Sequence, residues 1–253
     1  MKRAYIFANG NLPALPASLT FTPSPERYGR EPVDEWTTNR RSAGQRHRRK
    51  PQRCTGFKDG LIIAADNGAA HCKRLNITPH IIIGDMDSVA PGLLAEYEQQ
   101  GVTIIRYPVD KNETDLELAL AQARSQGTSE IMVFGIIGDR WDMTIANALA
   151  LAHPSLQDIS IRAINGDEEL IVIRSGRVVA IHGAPGEMVS LIPLCVPAAG
   201  ITLDGLRYQL NNANLSFGAG RGLSNELLTH EGKIEIKQGI LLCIITHHSQ
   251  PIT

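Results

Sequence analysis

Two short apolar runs that each lead into a cluster of acids constrain this chain most. Ile81-Ile82-Ile83 stops at Gly84-Asp85-Met86-Asp87-Ser88. Val102 to Ile105 leads to Asp110-Lys111-Asn112-Glu113-Thr114-Asp115, where a helical pattern starts. Short runs without polar alternation suit strands buried on both faces, which is how a parallel sheet reads. Ligands of such sheets bind beyond the carboxyl ends of the strands. Asp85, Asp87 and Asp115 are therefore expected in one crevice.

The same grammar runs through the first part of the chain. Strands are expected over 4–8, 61–65, 81–83, 102–106 and 131–134, and helices over about 69–75, 91–100, 114–125 and 142–152. Thr114 is suited to cap the third helix, with Asp115 and Glu117 in its first turn. Ile145, Ala146 and Leu149 share one face of the fourth. Beyond about Pro154, short strands recur at 159–164, 170–174, 177–181, 188–193, 200–203, 234–236 and 240–245, with glycines between them. Many short strands with regular turns predict a sandwich. The expected fold is α/β, a mostly parallel sheet with helices on both faces, followed by a smaller all-β sandwich. The expected domains are 1–156 and 157–253.

One segment is out of character. Residues 13–56 hold Pro13, Pro16, Pro23, Pro25, Pro32 and Pro51, then the basic run Arg46-His47-Arg48-Arg49-Lys50. With no sustained period, it reads as an irregular basic insertion. Such a run can attract phosphates or nucleic acid, or simply be solvated. The net charge of −1 argues against a nucleic-acid binder that relies on a global basic field. The four cysteines are scattered without a CxxC pair, as expected of reduced thiols. No run approaches the ~20 apolar residues of a membrane helix, and the N-terminal apolar run over 4–8 is too short for a signal peptide. These features place the chain in the cytoplasm, away from membranes.

Asp66, Asp85, Asp87 and Asp115 each follow an expected strand. A single one reads better as a helix cap or Asx-turn. Four gathered without as many bases repel one another unless a hard cation such as Mg²⁺ holds them, and Mg²⁺ keeps waters or substrate phosphates in its shell. Lys111 either neutralises a phosphoryl group or pairs with its acidic neighbours. Gly138-Asp139-Arg140-Trp141-Asp142 precedes a helix N-terminus, a ready anion site. Arg140 can fork onto a phosphate, and Asp142 can cap the helix or accept from a substrate amine. Neither GxxxxGK[ST] nor GxGxxG occurs. In the expected sandwich, Gly218-Ala219-Gly220-Arg221-Gly222 followed by Ser224-Asn225 is either a flexible connection or a bare binding loop.

Together IFANG (6–10), ADNGAAH (65–71), IIGDMDS (82–88), KNETDLELAL (111–120), GDRWDMTIANALAL (138–151) and GLSNE (222–226) resemble the thiamine pyrophosphokinase family. The resemblance implies an α/β catalytic domain, a thiamine-binding β-sandwich and a homodimer with sites between subunits. It implies pyrophosphoryl transfer from ATP, the co-substrate, to the hydroxyethyl oxygen of thiamine, giving thiamine diphosphate and AMP. It implies Asp66, Asp85, Asp87 and Asp115 as Mg²⁺ carboxylates, and Asp85, Asp87, Asp115 and Asp142 as the catalytic set. Lys111 and Arg140 would hold phosphates. Thr114, Asp142, Ser224 and Asn225 would lie near substrate, Ser224 from the partner subunit. Three departures stand out: Asn67 where the family usually has Gly, Ala70 where it has Asn, and Met143 where it has His. The rival readings are a homologue that binds thiamine or a nucleotide without turnover, and a Mg²⁺-dependent phosphotransferase acting on another small molecule.

Overall fold

The computed structural model describes residues 2–13, 15, 57 and 60–248. Apart from Pro13 and Leu15, the expected insertion lies outside the described residues. The α/β part runs β1 (Arg3–Phe7), β2 (Leu61–Ala65), α1 (Gly68–Arg74), β3 (Ile81–Gly84), α2 (Pro91–Gln99), β4 (Thr103–Arg106), α3 (Asp115–Ser125), β5 (Glu130–Phe134) and α4 (Trp141–Ala150). Strands follow: β6 (Ser160–Asn165), β7 (Glu168–Arg174), β8 (Arg177–His182), β9 (Met188–Pro193), β10 (Ala198–Asp204), β11 (Ala213–Leu215), β12 (Asn225–Glu226), β13 (Glu231–Ile236) and β14 (Ile240–Thr246). The expected elements are all present. The short strands β11 and β12 were not foreseen, because two or three residues carry no readable period.

Among the described residues the larger sheet has the order β12-β9-β14-β7-β6-β5-β1-β2-β3-β4. From β6 to β4 the neighbours are parallel; from β6 to β12 they are antiparallel. The sheet that carries the α/β layer thus continues without a break into the β-rich half. A second, antiparallel sheet, β11-β10-β13-β8, packs over that half.

Alternation explains the layers. Ala4, Ile6, Ile63, Ala65, Ile81 and Ile83 face α3, whose Leu116, Ala119, Leu120 and Ala123 join the same core. The intervening Tyr5, Phe7, Ile62, Ala64 and Ile82 face α1 and α2 through Ala69, Cys72, Leu94 and Tyr97. Strands β7 and β14 do the same across the boundary. Leu170 and Leu242 pack on the helical side, while Ile171, Ile173, Leu241, Cys243 and Ile245 fill the sandwich with Ile201, Ile234 and Ile236. Burial of such side chains at about 1.5–3 kcal/mol each drives the assembly.

Helix α4 departs from this pattern. Ile145 and Leu149 share a face as the spacing predicts, but with Trp141 they are exposed, at 56%, 51% and 78%. Only Asn147 of this helix is buried. The other face of α4, not the apolar stripe, meets the core, through Ala148 and Ala150.

The end of β14 is tied to the start of β9 by Glu187, which is buried. Its Oε1 accepts from the His248 N–H at 2.9 Å, and Oε2 lies 2.8 Å from His247 Nδ1. Burial pushes this carboxyl up, but those hydrogen bonds outweigh it and hold it below its ordinary value of 4.5. A depressed folded-state pKa contributes stability that is present above the unfolded value and is lost as pH falls through the folded one. Glu187→Gln is therefore expected to lower stability at neutral pH and flatten its loss in acid, read by urea melts between about pH 3 and 6. An unchanged acid limb would show that the tie is not charge-dependent.

Candidate active site

The carboxyl edge of the parallel strands carries the site. The chain leaves β1 toward β2, β3 and β4 on one side, while β5 and β6 lie on the other. The loops after β1 and β5 diverge there, the switch point at which open α/β sheets bind ligands. A cavity of about 250 Å³ opens at this point, lined by Ala8 to Gly10 after β1, Gly138 to Arg140 after β5, Thr114 and Asp115 at the start of α3, and Met143 and Asn147 of α4.

The two loops are stitched together. The Gly10 N–H donates to Gly135 O at 2.8 Å, the Asn11 N–H to Ile137 O at 2.6 Å, and Asn11 Nδ2 to Asp139 Oδ1 at 3.0 Å. A Cβ on Gly10 would lie 2.4 Å from Gly135 O, so only glycine permits this approach. From α4, Asn147 Nδ2 donates to Ile136 O at 2.9 Å, and Thr144 Oγ1 accepts from the Gly138 N–H at 3.1 Å.

The carboxylates gather beside the cavity. One oxygen each of Asp66, Asp85 and Asp87 lies within 4.8 Å of the others. Asp66 follows β2 in a left-handed conformation (φ +47) and is buried. Its Oδ2 accepts from Ser88 Oγ and, at 3.5 Å, from Asn9 Nδ2. Its Oδ1 is buried with no partner. Burial pushes Asp66 above its ordinary 3.8, against the hydrogen bonds from Ser88 and the Asn67 backbone. Met86, also left-handed (φ +66) and buried, anchors the turn that presents Asp85 and Asp87. The Asp87 N–H donates to Asp85 Oδ1 at 3.1 Å. That bond leads in holding Asp85 low, while the charge of Asp85 raises Asp87, which is otherwise exposed.

Lys111 sits among them. Its Nζ lies 3.1 Å from Asp85 Oδ2 and 3.0 Å from Asp115 Oδ1, with 9% of its side chain exposed. Only the Asp85 contact is directed as a hydrogen bond; the one to Asp115 is a bare ion pair. Burial raises the Asp115 carboxyl despite Lys111. Asp115 opens α3 behind a capping box, in which Thr114 Oγ1 accepts from the Glu117 N–H at 3.2 Å and Glu117 Oε2 accepts from the Thr114 N–H at 2.8 Å. Asp115 therefore borders both the cavity and the lysine, while the tight carboxylate trio is Asp66, Asp85 and Asp87.

The remaining expected residues are placed differently. Arg140 and Asp142 form a forked ion pair with each other, at 2.5 and 3.2 Å, both exposed. The fork leaves the Arg140 Nη1 group available to a ligand. Ser224 (φ +57) lies in the sandwich, its N–H donating to Ser190 Oγ at 3.1 Å. The Asn225 amide is committed to the Tyr208 backbone, donating to its O at 2.8 Å and accepting from its N–H at 2.9 Å. Neither residue reaches the cavity of its own chain. Sequence reasoning did not single out Asn9 and Ser88 as the holders of Asp66, or Asn147 as a brace of the cavity loop. The available signal was that all three lie inside the stretches that carry the family resemblance, Asn147 as the lone polar residue of an apolar run.

An unpartnered buried carboxylate oxygen inside a trio of carboxylates is an oxygen-rich site that fits a hard divalent cation. A parallel sheet that gathers such acids with one lysine at its carboxyl edge, and runs on into a β-sandwich, defines a class of α/β enzyme suited to phosphate chemistry. The thiamin pyrophosphokinase catalytic domain matches residues 57–163, and the thiamin pyrophosphokinase vitamin B1 binding domain matches residues 177–241. The chain belongs to the thiamine pyrophosphokinase family. It is 30% identical over 192 residues to the thiamine pyrophosphokinase of Bacillus subtilis, covering 75% of this chain and 90% of that one. It is 30% identical over 161 residues to thiamine pyrophosphokinase 1 of Oryza sativa, covering 60% of each. The crystal structure of the Bacillus subtilis thiamine pyrophosphokinase superposes with a TM-score of 0.73 at 24% identity, over 98% of this chain and all of that one. The Candida albicans structure gives 0.68 at 16% identity, over 96% of this chain and 88% of that one. Among the described residues no helix is long and apolar enough to cross a membrane.

Proposed function

We propose that this chain transfers the pyrophosphoryl group of ATP to the hydroxyethyl oxygen of thiamine, giving thiamine diphosphate and AMP, in a Mg²⁺-dependent reaction. The observation that carries this reading is the trio Asp66, Asp85 and Asp87 beside Lys111, joined through Asp115 and Asn9 to a cavity sited at the switch point of the sheet. Asp66, Asp85 and Asp87 would hold Mg²⁺, with Asp115 at the edge of the site. The metal, when bound, would supply positive charge to the phosphate oxygens.

The chain's own groups do the rest. Transfer of this kind depends on positioning and charge neutralisation more than on covalent help. Lys111, held between Asp85 and Asp115, is placed to exchange a carboxylate for a phosphate oxygen. Arg140 would leave Asp142 for phosphate, which frees Asp142 to accept from the thiamine amine. Asp115, kept high by burial, is suited to take the hydroxyl proton. We assign 1–156 to catalysis and 157–253 to thiamine binding. Because Ser224 does not reach the cavity of its own chain, the working unit would be a homodimer with Ser224 supplied by the partner. Met143 lines the cavity and, as a thioether, can neither donate a hydrogen bond nor carry a proton. The candidate proton acceptors are the carboxylates of Asp115 and Asp142.

The test is AMP formation from ATP and Mg²⁺ with and without thiamine. Thiamine-dependent AMP, with thiamine diphosphate in equal amount, is the expected result. ADP or inorganic phosphate in place of AMP would overturn the pyrophosphoryl reading. Tight thiamine binding in calorimetry without turnover would instead make the chain a binding homologue.

A further inference from the structure

Helix α4 carries Asp142, Met143, Thr144 and Asn147, and follows Arg140; its stripe of Trp141, Ile145 and Leu149 is exposed, only Asn147 within it is buried, and its apolar anchorage is Ala148, Ala150 and the capping Leu151, all towards its C-terminal end. Polar contacts hold it in two places. On its first two turns, Thr144 and Asn147 bind the loop after β5. At its C-terminal end stands Arg174, the last residue of β7, outside both matched segments. Its Nη1 donates to Ala152 O at 3.0 Å, and its Nη2 to Leu151 O at 3.2 Å and His153 O at 3.3 Å. All three acceptors are carbonyls just past the helix, where the chain turns at Pro154.

Arg174 is 9% exposed, and its hydrogen bonds go to no carboxylate. A buried guanidinium is costly to hold; burial and the charge of Arg177 work against it here, and the charge of Asp158 favours it. Here its charge is set against the negative end of the α4 dipole and the orphan carbonyls that follow it. A lysine offers a single point in place of a planar fork with five donors. The β-rich half of the large sheet thereby fixes the axis of a helix whose far end borders the cavity.

We propose that Arg174 is a positioning residue: by clamping the carbonyls after α4 it sets where Arg140 and Met143 line the cavity and where Asp142 stands beside Arg140. This rests on the role given to α4 in the pyrophosphoryl-transfer reading. The clamp acts through the helix and touches no substrate. The carboxylates Asp66, Asp85 and Asp87 stand on the loops after β2 and β3 and are held by Asn9, Ser88, Lys111 and the Asp87 backbone, not directly by α4.

The test uses the full chain carrying Trp36→Phe, which leaves Trp141, the first residue of α4, as its lone tryptophan. In Arg174→Met, Trp141 fluorescence polarisation is expected to fall. The kcat/KM is expected to drop by about 10- to 100-fold, mainly through KM for ATP and thiamine. Affinity for Mn²⁺, used as the metal probe, is expected to stay within about twofold of the parent. Arg174→Lys should recover part of both losses. A parent-like Trp141 signal and KM in Arg174→Met would overturn the proposal, as would a parallel loss of Mn²⁺ affinity, which marks general loosening. If Arg174→Met does not fold, Arg174→Lys is read in the same way, and failure of both to fold makes Arg174 a folding requirement and ends the positioning claim. Trp141 polarisation is measured without substrates. A change there with no thiamine-dependent AMP in the parent would uphold the clamp and sink the thiamine reading.

Discussion

Asp87→Ala is expected to leave the chain folded and lower thiamine-dependent kcat/KM by at least about 10³-fold. The carboxylate of Asp87 is exposed, and the charge of Asp85 raises its pKa. Its backbone N–H, not its side chain, orders the turn by donating to Asp85 Oδ1, and alanine keeps that N–H. Removing the side chain relieves a repulsion between like charges in the metal-free chain, so melting without Mg²⁺ should be unchanged or slightly raised. The stabilisation by added Mg²⁺ should shrink at the same time, since binding to the folded state alone raises stability in proportion to RT ln(1 + [L]/Kd). Stability and activity thus move in opposite directions, which separates a ligand residue from a structural one. Full activity in Asp87→Ala would remove Asp87 from the site.

Lys111→Met should act on both quantities together. The ammonium bridges Asp85 and Asp115, and the side chains of Lys111 and Asp85 are 9% and 11% exposed. Its loss leaves two carboxylates near a third, Asp66, that already has an unpartnered oxygen. The cost in the metal-free chain is expected at about 2 kcal/mol, between an exposed ion pair and a fully buried one. That corresponds to roughly 4–8 °C in melting temperature for a domain of this size. Mg²⁺ should restore much of that stability, because a cation again faces the acids, but not the activity. The kcat/KM is expected to stay down about 10²-fold with Mg²⁺ saturating, for lack of the charge that meets the transferring group. Melting in EDTA and in Mg²⁺, beside the AMP assay, reads all three. Equal melting of variant and parent in EDTA would show that the ammonium does not hold the acids together.

The two variants probe neighbouring groups whose legibility in the sequence differed. Asp87 was visible as a residue beyond an apolar run, and so were Asp66, Asp85 and Asp115. Their convergence followed from the parallel order of the strands that precede them, since parallel strands point their carboxyl ends to one edge. What the runs could not show was which acids come closest. The left-handed turns at Asp66 and Met86 bring Asp66, Asp85 and Asp87 together, and the capped start of α3 sets Asp115 against Lys111. Backbone conformations of that kind are over-determined by surrounding packing and leave no period in the sequence.

The α4 stripe shows a similar division. The 3.6-residue spacing correctly put Ile145 and Leu149 on one face, but spacing alone does not say whether a face meets a core or solvent. The helix turns the other way because Asn147 reaches Ile136 O and Arg174 takes the carbonyls beyond its end. The first joins residues 11 apart and the second residues 21 to 23 apart, beyond the reach of a helical period.

By itself the sequence determined the element types, the α/β-to-β succession, the acidic edge and the family, because burial on one or two faces and turn chemistry are written locally in residue order. Only the tertiary structure decided that one continuous sheet spans both halves, that Asn9 and Ser88 hold Asp66, and that Arg174 holds α4. These depend on strand order and on side chains meeting across long stretches of chain, and a hydrogen bond between distant residues has no signature in either segment alone.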